Sequence, residues 1–453
     1  MPTTLTPIRT DGPALVPGDD GYDAERAGYN QIVEHHPALI VGATGPADVI
    51  AAIRYARDHG LPVAVQATGH GVSVPADGAV LVNTRRMDGV RVDPATRTAR
   101  IEAGVRSRRL VHEAAVHGLA PLNGSAPDVG VVSYVLSGGV PMLGRRYGYA
   151  ADHVRALDVI TADGELRNVT AEREPDLFWA LRGGRGNFGV VVSLELDLVP
   201  VSRLYGGGLW FGGPSVAPAL HAYADWVADL PDEMGSSVLL IRMPDVPGVP
   251  EPLRGEFVAH VRIAWSGPAE QGADLVRPLQ DAAPVLVDTV GDMPYRDVGT
   301  IHDEPTTPVP FQSRNTMLGT FDHDGVETLL GLAGPDAGAP YMVELRHFGG
   351  ALNRPAAEPN AVGRRDGRFC LYSGSVVGLG ELDAHRAAHH ALHAAMSPWG
   401  TGGVCLNFLA GPDVTTDELR SGYLPDDLAR LTEIKRAHDP HNLFRINHNI
   451  DPA

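Results

Sequence analysis

PALIVGATGPADVIAAIRYARDHGLPVAVQATGHG, residues 37–71, decides how the chain is read. PALIV is a short apolar strand. Thr44 is placed to cap the helix that follows, Pro46 suits its first turn, DVIAAIRYARDH carries apolar residues at helical spacing, and Gly60 stops it. PVAVQ is a second strand. The stretch therefore predicts a β-α-β unit whose glycine turn lies at the carboxyl end of a strand, where α/β sheets take ligands. His70 stands in that turn between Gly69 and Gly71. Taken alone it is either a loop histidine bonded to nearby carbonyls or a group that meets a ligand. The flanking glycines let successive N–H groups point one way and form a nest for an anion.

Working outward, AVLVN, GVRVD and TARIEAG are short strands and RSRRLVHEAAVHG is a helix. A second glycine-rich segment, LSGGVPMLGRRYGYAADHV (136–154), follows about 65 residues after the first, a spacing that suits a long ligand with charge in its middle, such as a dinucleotide. ALDVITADGELRNV is a hairpin with an Asp-Gly turn, PDLFWALR a helix, and VVVSLELDLV a strand ending at Pro200. From there the character changes. Aromatic and proline-rich segments, strands such as YMVELRHF and RFCLYSGSV, and helices such as LHAYADWVADL predict an antiparallel sheet covered by helices. The division expected is 1–200, 201–400, and a segment 401–453 that returns to the first part, with LNFLAG as a strand and DDLARLTEIKRAH as a helix.

At 453 residues the chain can bury more than one core. Its formal charge of −18 argues against nucleic acid or an anionic membrane as partner and leaves a small molecule. Lys435 is the only lysine, so there is no P-loop lysine and none expected in a core segment for a Schiff base; phosphate must be held by backbone N–H groups or arginine. Cys370 and Cys405 cannot make a disulfide framework. No stretch approaches the ~20 apolar residues of a membrane span, and MPTTLTPIRTDGPALVPGDD has no apolar core of signal-peptide length, so a cytoplasmic protein, monomer or homodimer, is expected. GRGNFG (184–189) matches G-x-G-x-x-G, but a helix precedes it and a strand follows, the reverse of a dinucleotide fingerprint; it reads as a helix-to-strand turn. His385, His389 and His393 share a helix face without an H-E-x-x-H motif, which reads as a solvated face rather than a metal site.

Taken together, LVPGDDGYDAERAGYN, the opening stretch, LSGGVPMLGRRYGYAADHVRALDVITADGEL, EPDLFWALRGGRGNFGVVVSLELDL and DPHNLFRINHNI resemble the FAD-linked oxidases of the berberine-bridge-enzyme type. The likeness runs strongly over 15–200 and 400–450 and weakly between. It implies the α+β, two-domain PCMH-type FAD-binding fold of the vanillyl-alcohol-oxidase flavoproteins, and a covalent bond from His70 to the 8α-methyl of FAD. It also implies cofactor contacts from Gln66, Ala67, Thr68, Gly69, Gly71, Ser125, Val129, Gly130, Ser137, Gly138, Gly139, Tyr147, Gly148, Asp152, Gly189, Val190, Asn407, Asn447 and Asn449.

The chain departs from that pattern in three places. Ala126 stands where many relatives have a second flavin-linking cysteine, so a single linkage is expected. Gln66 replaces the more usual arginine, and Cys405-Leu406-Asn407 replaces Tyr-x-Asn, whose tyrosine helps to deprotonate substrate. A base is required for hydride transfer from an alcohol or amine. Glu344 is the first choice, with His347, Cys405 and Tyr423 behind it; Glu344 and Arg346 share a strand face and are equally an inert ion pair. The resemblance implies an oxidase that passes electrons from a natural-product or sugar-like substrate of secondary metabolism to dioxygen, with Val129 near the oxygen's approach. A flavin-containing cyclase without net oxidation is the first rival; a His-rich metal hydrolase or binding protein is the second.

Overall fold

The opening β-α-β unit forms as its sequence dictates, with one strand inserted. The computed structural model describes residues 8–337, 341–376, 378 and 382–452. β1 (Ala14–Leu15), β2 (Leu39–Gly42), β3 (Val63–Gln66) and β4 (Val80–Asn83) make a sheet of order β1-β2-β4-β3, in which β4 lies parallel to both β2 and β3. The helix Pro46–Asp58 crosses between β2 and β3 and buries Val49, Ala52, Ile53 and Ala56 against the sheet. Its start is capped otherwise than expected. Thr44 makes no side-chain cap; buried Asp48 accepts from Thr44 N–H and Thr44 Oγ1, each at 2.8 Å, and from Asp11 N–H and Gly12 N–H. A first-turn carboxylate offers about four acceptor sites where a threonine hydroxyl offers two, and its charge also suits the helix dipole.

β5 (Val90–Asp93), β6 (Thr98–Glu102), β7 (Val154–Ile160), β8 (Leu166–Val169) and β9 (Val190–Asp197) form a second, antiparallel sheet of order β5-β6-β9-β7-β8. The Asp-Gly hairpin is the β7–β8 pair. A third sheet takes β10 (Arg203–Gly212), β11 (Met234–Arg242), β12 (Phe257–Trp265), β13 (Val287–Asp288), β14 (Gly291–Pro294), β15 (Phe311–Leu318), β16 (Met342–His347) and β17 (Phe369–Val376), in the order β13-β10-β12-β11-β16-β17-β15 with β14 beside β10. One face packs Val238, Leu240, Val261, Ile263, Val343, Leu345 and Leu371 under helices Val216–Trp226, Ala269–Gln280, His323–Ala333 and Leu382–Ala395. The opposite face carries Arg262, Glu344, Arg346, Tyr372 and Asn315, because side chains alternate along each strand.

Three expectations are corrected here. LNFLAG is no strand: Leu406–Phe408 is a single 3-10 turn, because Asn315 Nδ2 donates to Cys405 O and Asn315 Oδ1 accepts from Cys405 N–H at 2.7 Å, taking the groups a strand ladder would use. His385, His389 and His393 are not solvated. They are buried against β17 and β15, where Ser373 Oγ meets His389 Nδ1 at 2.6 Å and His393 Nε2 at 2.8 Å, Ser375 Oγ meets His389 Nε2 at 2.8 Å, and Thr316 Oγ1 meets His393 Nδ1 at 2.8 Å. Lys435, expected outside any core, is fully buried on the helix Pro425–His438, its Nζ donating to Asp439 Oδ2 (2.6 Å) and Asn187 O (2.8 Å). No described helix is long and apolar enough to cross a membrane.

Candidate active site

The turn after β3 is built by close backbone approach. Tyr29 N–H donates to Thr68 O and Asn30 N–H to Gly69 O, and Gly69 adopts φ +72°, where a Cβ would lie 2.7 Å from Gly28 Cα. Gln66 Nε2 donates to Arg26 O and Ala27 O. Half-buried His70 stacks on Tyr29, ring centroids 3.9 Å apart and planes within 8°, with Thr68 Oγ1 2.9 Å from its Nδ1. Burial pushes the imidazole down to about 4, so it is neutral at neutral pH and keeps a ring-nitrogen lone pair. In front of Gly71 the space is open, the nearest atom to a Cβ being Arg185 Nη2 at 3.8 Å.

A six-residue helix, Val131–Leu136, joins this turn to the second glycine segment, a span of about 9 Å. At its start Gly130 N–H donates to Thr68 Oγ1 at 3.3 Å, and Val129 O accepts from Ser107 N–H. At its end Ser137 Oγ donates to Ser133 O, and Gly138 and Gly139 take φ +103° and +74°. Asn407 holds them: its Oδ1 accepts from Gly139 N–H and its Nδ2 donates to Tyr134 O, each at 2.9 Å. The C-terminal tail closes the cleft's other side. Val63 N–H donates to Leu443 O and Ala64 bridges Ile446, covering the free edge of β3 and bringing residues 447–449 beside the turn. Asn447 Oδ1, Asn449 Oδ1 and both ring nitrogens of His448 are buried there without a hydrogen-bond partner among the described residues, as is Tyr134 Oη on the side toward Arg346 and Cys405. Unmet polar groups of both donor and acceptor type, beside an open glycine turn, fit a nucleotide cofactor.

Other residues expected at the cofactor also make contacts within the protein. Asp152 accepts from Tyr149 N–H, Asn360 Nδ2 and two nitrogens of Arg365. Gly148 takes φ +89°, with a Cβ 2.7 Å from Asp152 Oδ2; half-buried Tyr147 lies under the Arg146 guanidinium. Gly189 turns against Ile160 O and Val190 opens β9.

The polar face of the third sheet approaches this cleft through Arg346, whose Nη2 donates to Ser125 Oγ at 3.0 Å and whose guanidinium lies 4.7 Å over the Phe408 ring. Arg346 Nε and Arg262 Nη1 each donate to one oxygen of Glu344 at 2.9 Å, and these two cations hold the buried carboxyl below its usual range against the opposing effect of burial. His302 and Glu304 complete the cluster, His302 Nδ1 lying 3.7 Å from Glu344 and Glu304 3.6 Å from Arg346. A cavity here is walled by Val140, Met142, Ser237, Arg262, His302 and Arg346. His347 Nε2 accepts from Arg145 Nη1 at 2.9 Å, and burial together with that cation pushes it to about 2. Cys405 sits over Asn315, its thiol lowered by a hydrogen bond from Cys370, whose own thiol burial raises. Tyr423 lies apart from this face, its hydroxyl donating to Gly183 O and pushed up to about 12 by burial. The structure thus gathers Glu344 and Cys405 near Arg346 and leaves Tyr423 behind the turn 184–189. Arg262, Arg346, His302, Tyr134 and Arg185 were not singled out as site residues. Arg346, two positions from Glu344, was the one with a readable signal.

An FAD-linked oxidoreductase is what this cleft and fold define. Residues 37–170 match the FAD binding domain and 413–451 the berberine and berberine-like segment, the pair of matches expected of the FAD-linked oxidases that the sequence resembles. It is 29% identical over 99% of its length to (R)-6-hydroxynicotine oxidase of Paenarthrobacter nicotinovorans, covering 98% of that protein. The crystal structure of 6-hydroxy-D-nicotine oxidase from Arthrobacter nicotinovorans superposes with TM-score 0.87 at 26% identity, covering 100% of both chains. The xylooligosaccharide oxidase of Myceliophthora thermophila, bound to xylobiose, shares the fold at TM-score 0.81 and 21% identity, over 98% of this chain and 97% of that one. The two-domain PCMH-type α+β fold expected from the sequence is the fold observed, and the protein is an FAD-dependent oxidase acting on a small molecule.

Proposed function

We propose that His70 carries FAD covalently as its single link, that residues 1–200 and 401–453 hold the cofactor while 201–400 form the substrate side, and that dioxygen is the electron acceptor. What carries the linkage is His70 itself: a neutral imidazole in a glycine turn that opens onto buried groups lacking partners. Attachment replaces the imidazole N–H and one methyl hydrogen by a C–N bond, an oxidation whose electron pair dioxygen removes. Turn residues 66–71, with Val129, Gly130, Gly138, Gly139, Asn447 and Asn449, would line the cofactor, and Asn407 would position the glycine pair. Bound FAD supplies a two-electron acceptor. Net turnover takes two electrons and two protons from a C–H and an O–H or N–H of the substrate and gives hydrogen peroxide.

The proton needs an acceptor on the protein, and we assign it to Cys405. Glu344 spends both oxygens on guanidinium groups, His347 has its Nε2 lone pair committed to Arg145, and Tyr423 is held above its ordinary range. Cys405, like Glu344, has its acidity shifted toward the anion, by the hydrogen bond from Cys370, but among the described residues no guanidinium donates to its sulfur, which leaves it able to take a proton. Glu344 would then fix the two arginines that orient substrate. The cavity's mixture of Arg262, His302 and Ser237 with Val140 and Met142 suits a small polar alcohol or amine, natural-product or sugar-like, in secondary metabolism; the reading also takes the protein to be cytoplasmic.

Acid precipitation of the purified protein followed by tryptic mapping tests this. A flavin mass on the peptide containing His70 is expected. Yellow colour left in the supernatant overturns the linkage, and a colourless protein overturns the whole reading. Cys405→Ser should cut kcat/KM by about 10²- to 10⁴-fold and shift the acidic limb of the pH profile upward; an unchanged profile removes Cys405 as the base.

A further inference from the structure

GRGNFG, which the sequence gives as a mere turn, places a charge in the cofactor cleft. Arg185 occupies the left-handed region at φ +61°, a conformation that disfavours side chains other than glycine. Its backbone has little freedom to relax. Lys435 Nζ holds Asn187 O, Asn187 Nδ2 donates to Gly184 O and His448 O, and Ile450 N–H donates to Asn187 Oδ1. The guanidinium reaches the space in front of Gly71, one residue from His70, and among the described residues it makes one hydrogen bond, Nη1 donating to Leu406 O at 3.1 Å. Among the described residues no carboxylate lies within ion-pair distance of it. Its ionisable neighbours are Tyr423 and Cys405, and His448 feels its charge.

A strained, half-buried cation with no protein counter-charge is expensive, and such strain persists where a site uses it. We infer that Arg185 is the counter-cation of the bound cofactor, donating to an anionic oxygen of FAD. This rests on the reading that FAD occupies the cleft. Two oxygens of the cofactor share that chemistry: those of the diphosphate, charged in every state, and the pyrimidine carbonyl, which becomes anionic when the ring is reduced. Arg185 would thus supply the positive charge that Gln66 does not.

The test uses the purified holoenzyme with Arg185→Gly and Arg185→Lys. Glycine adopts φ +61° without strain, so Arg185→Gly folds at least as well as the parent, with melting temperature as the control. In a His70→Ala background, where no C–N bond holds the flavin, a diphosphate partner predicts about 10- to 100-fold weaker FAD affinity, seen as a lowered ratio of flavin absorbance to protein, with recovery in Arg185→Lys. A pyrimidine partner predicts full flavin occupancy and about 10-fold weaker sulfite binding, because sulfite places negative charge on the ring. Equal occupancy and equal sulfite affinity in all three proteins overturn the inference. A parent protein that holds no flavin at all defeats instead the reading on which it rests, so the two failures are distinguishable.

Discussion

Lys435 shows what one residue can demand. Its ammonium and the Asp439 carboxylate are both fully buried, 2.6 Å apart, and Asp439 also accepts from Leu443 N–H and Phe444 N–H. The pair ties the helix Pro425–His438 to Asn187 and to the tail that closes the cleft. Lys435→Met removes the cation and leaves a buried, hydrogen-bonded carboxylate without compensation, which costs about 3–5 kcal/mol where one partner of a buried pair is lost. We expect an unfolding free energy lowered by that amount in denaturant titration, and slower flavin loading, since the turn bearing Arg185 loses an anchor. Lys435→Arg should recover only part, because the cavity is shaped to a single nitrogen. An unfolding free energy within about 1 kcal/mol of the parent would show the pair to be dispensable.

At the scale of elements, the sequence was legible where structure is local. The β-α-β stretch, the Asp-Gly hairpin and the strands YMVELRHF and RFCLYSGSV follow from period and turn chemistry within a few residues. What was illegible depends on partners far along the chain. The helix Leu382–Ala395 shows three histidines at i, i+4 and i+8, a spacing that fixes their common face but not what covers it. Ser373 and Ser375 on β17 and Thr316 on β15 cover it. Cys405 reads as a strand residue until Asn315, 90 positions away, takes its backbone groups. The glycine turn was readable because its geometry is built into six residues, whereas the charge entering it from Arg185 was hidden in a motif whose flanking elements argued against a site. The histidine face yields its own prediction. Ser373→Ala strands a nitrogen on each of His389 and His393, which should destabilise by about 1–3 kcal/mol for each unmet group. Ser373→Thr should be milder if its methyl is accommodated. Thermal melts of the two variants check this, and a neutral Ser373→Ala would mean that water serves those rings.

Across the whole molecule, the histidines set an acid limit. Burial is the leading cause that lowers His389 to about 4, His393 to about 3, and His260 and His347 to about 2. His70 leaves this set when it carries the cofactor. The unfolded chain protonates each of the four near its ordinary value of about 6.5, so below that pH the unfolded state binds protons that the native state refuses. Stability is therefore fully present above about pH 6.5 and falls as the pH drops toward the native values, the sign expected for a depressed histidine. Each contributes about 1 kcal/mol of loss between pH 6 and 5, roughly 4 to 5 kcal/mol together. The net charge of −18 works the other way, since acidification relieves its self-repulsion, but that charge is spread over the surface and screened by salt, whereas the histidines are buried. Urea unfolding of the flavin-loaded protein at pH 7, 6.5, 6 and 5 in moderate salt should show midpoints that change little from 7 to 6.5 and then fall steeply. His389→Gln together with His393→Asn removes two of the titrations and should flatten the fall by about 2 kcal/mol between pH 6 and 5, leaving the part carried by His260, His347 and the other buried histidines, His302 and His448 among them. A midpoint that stays level to pH 5 in the parent would mean that these rings reach water in the native state, and the buried histidine face under the substrate sheet would have to be redrawn.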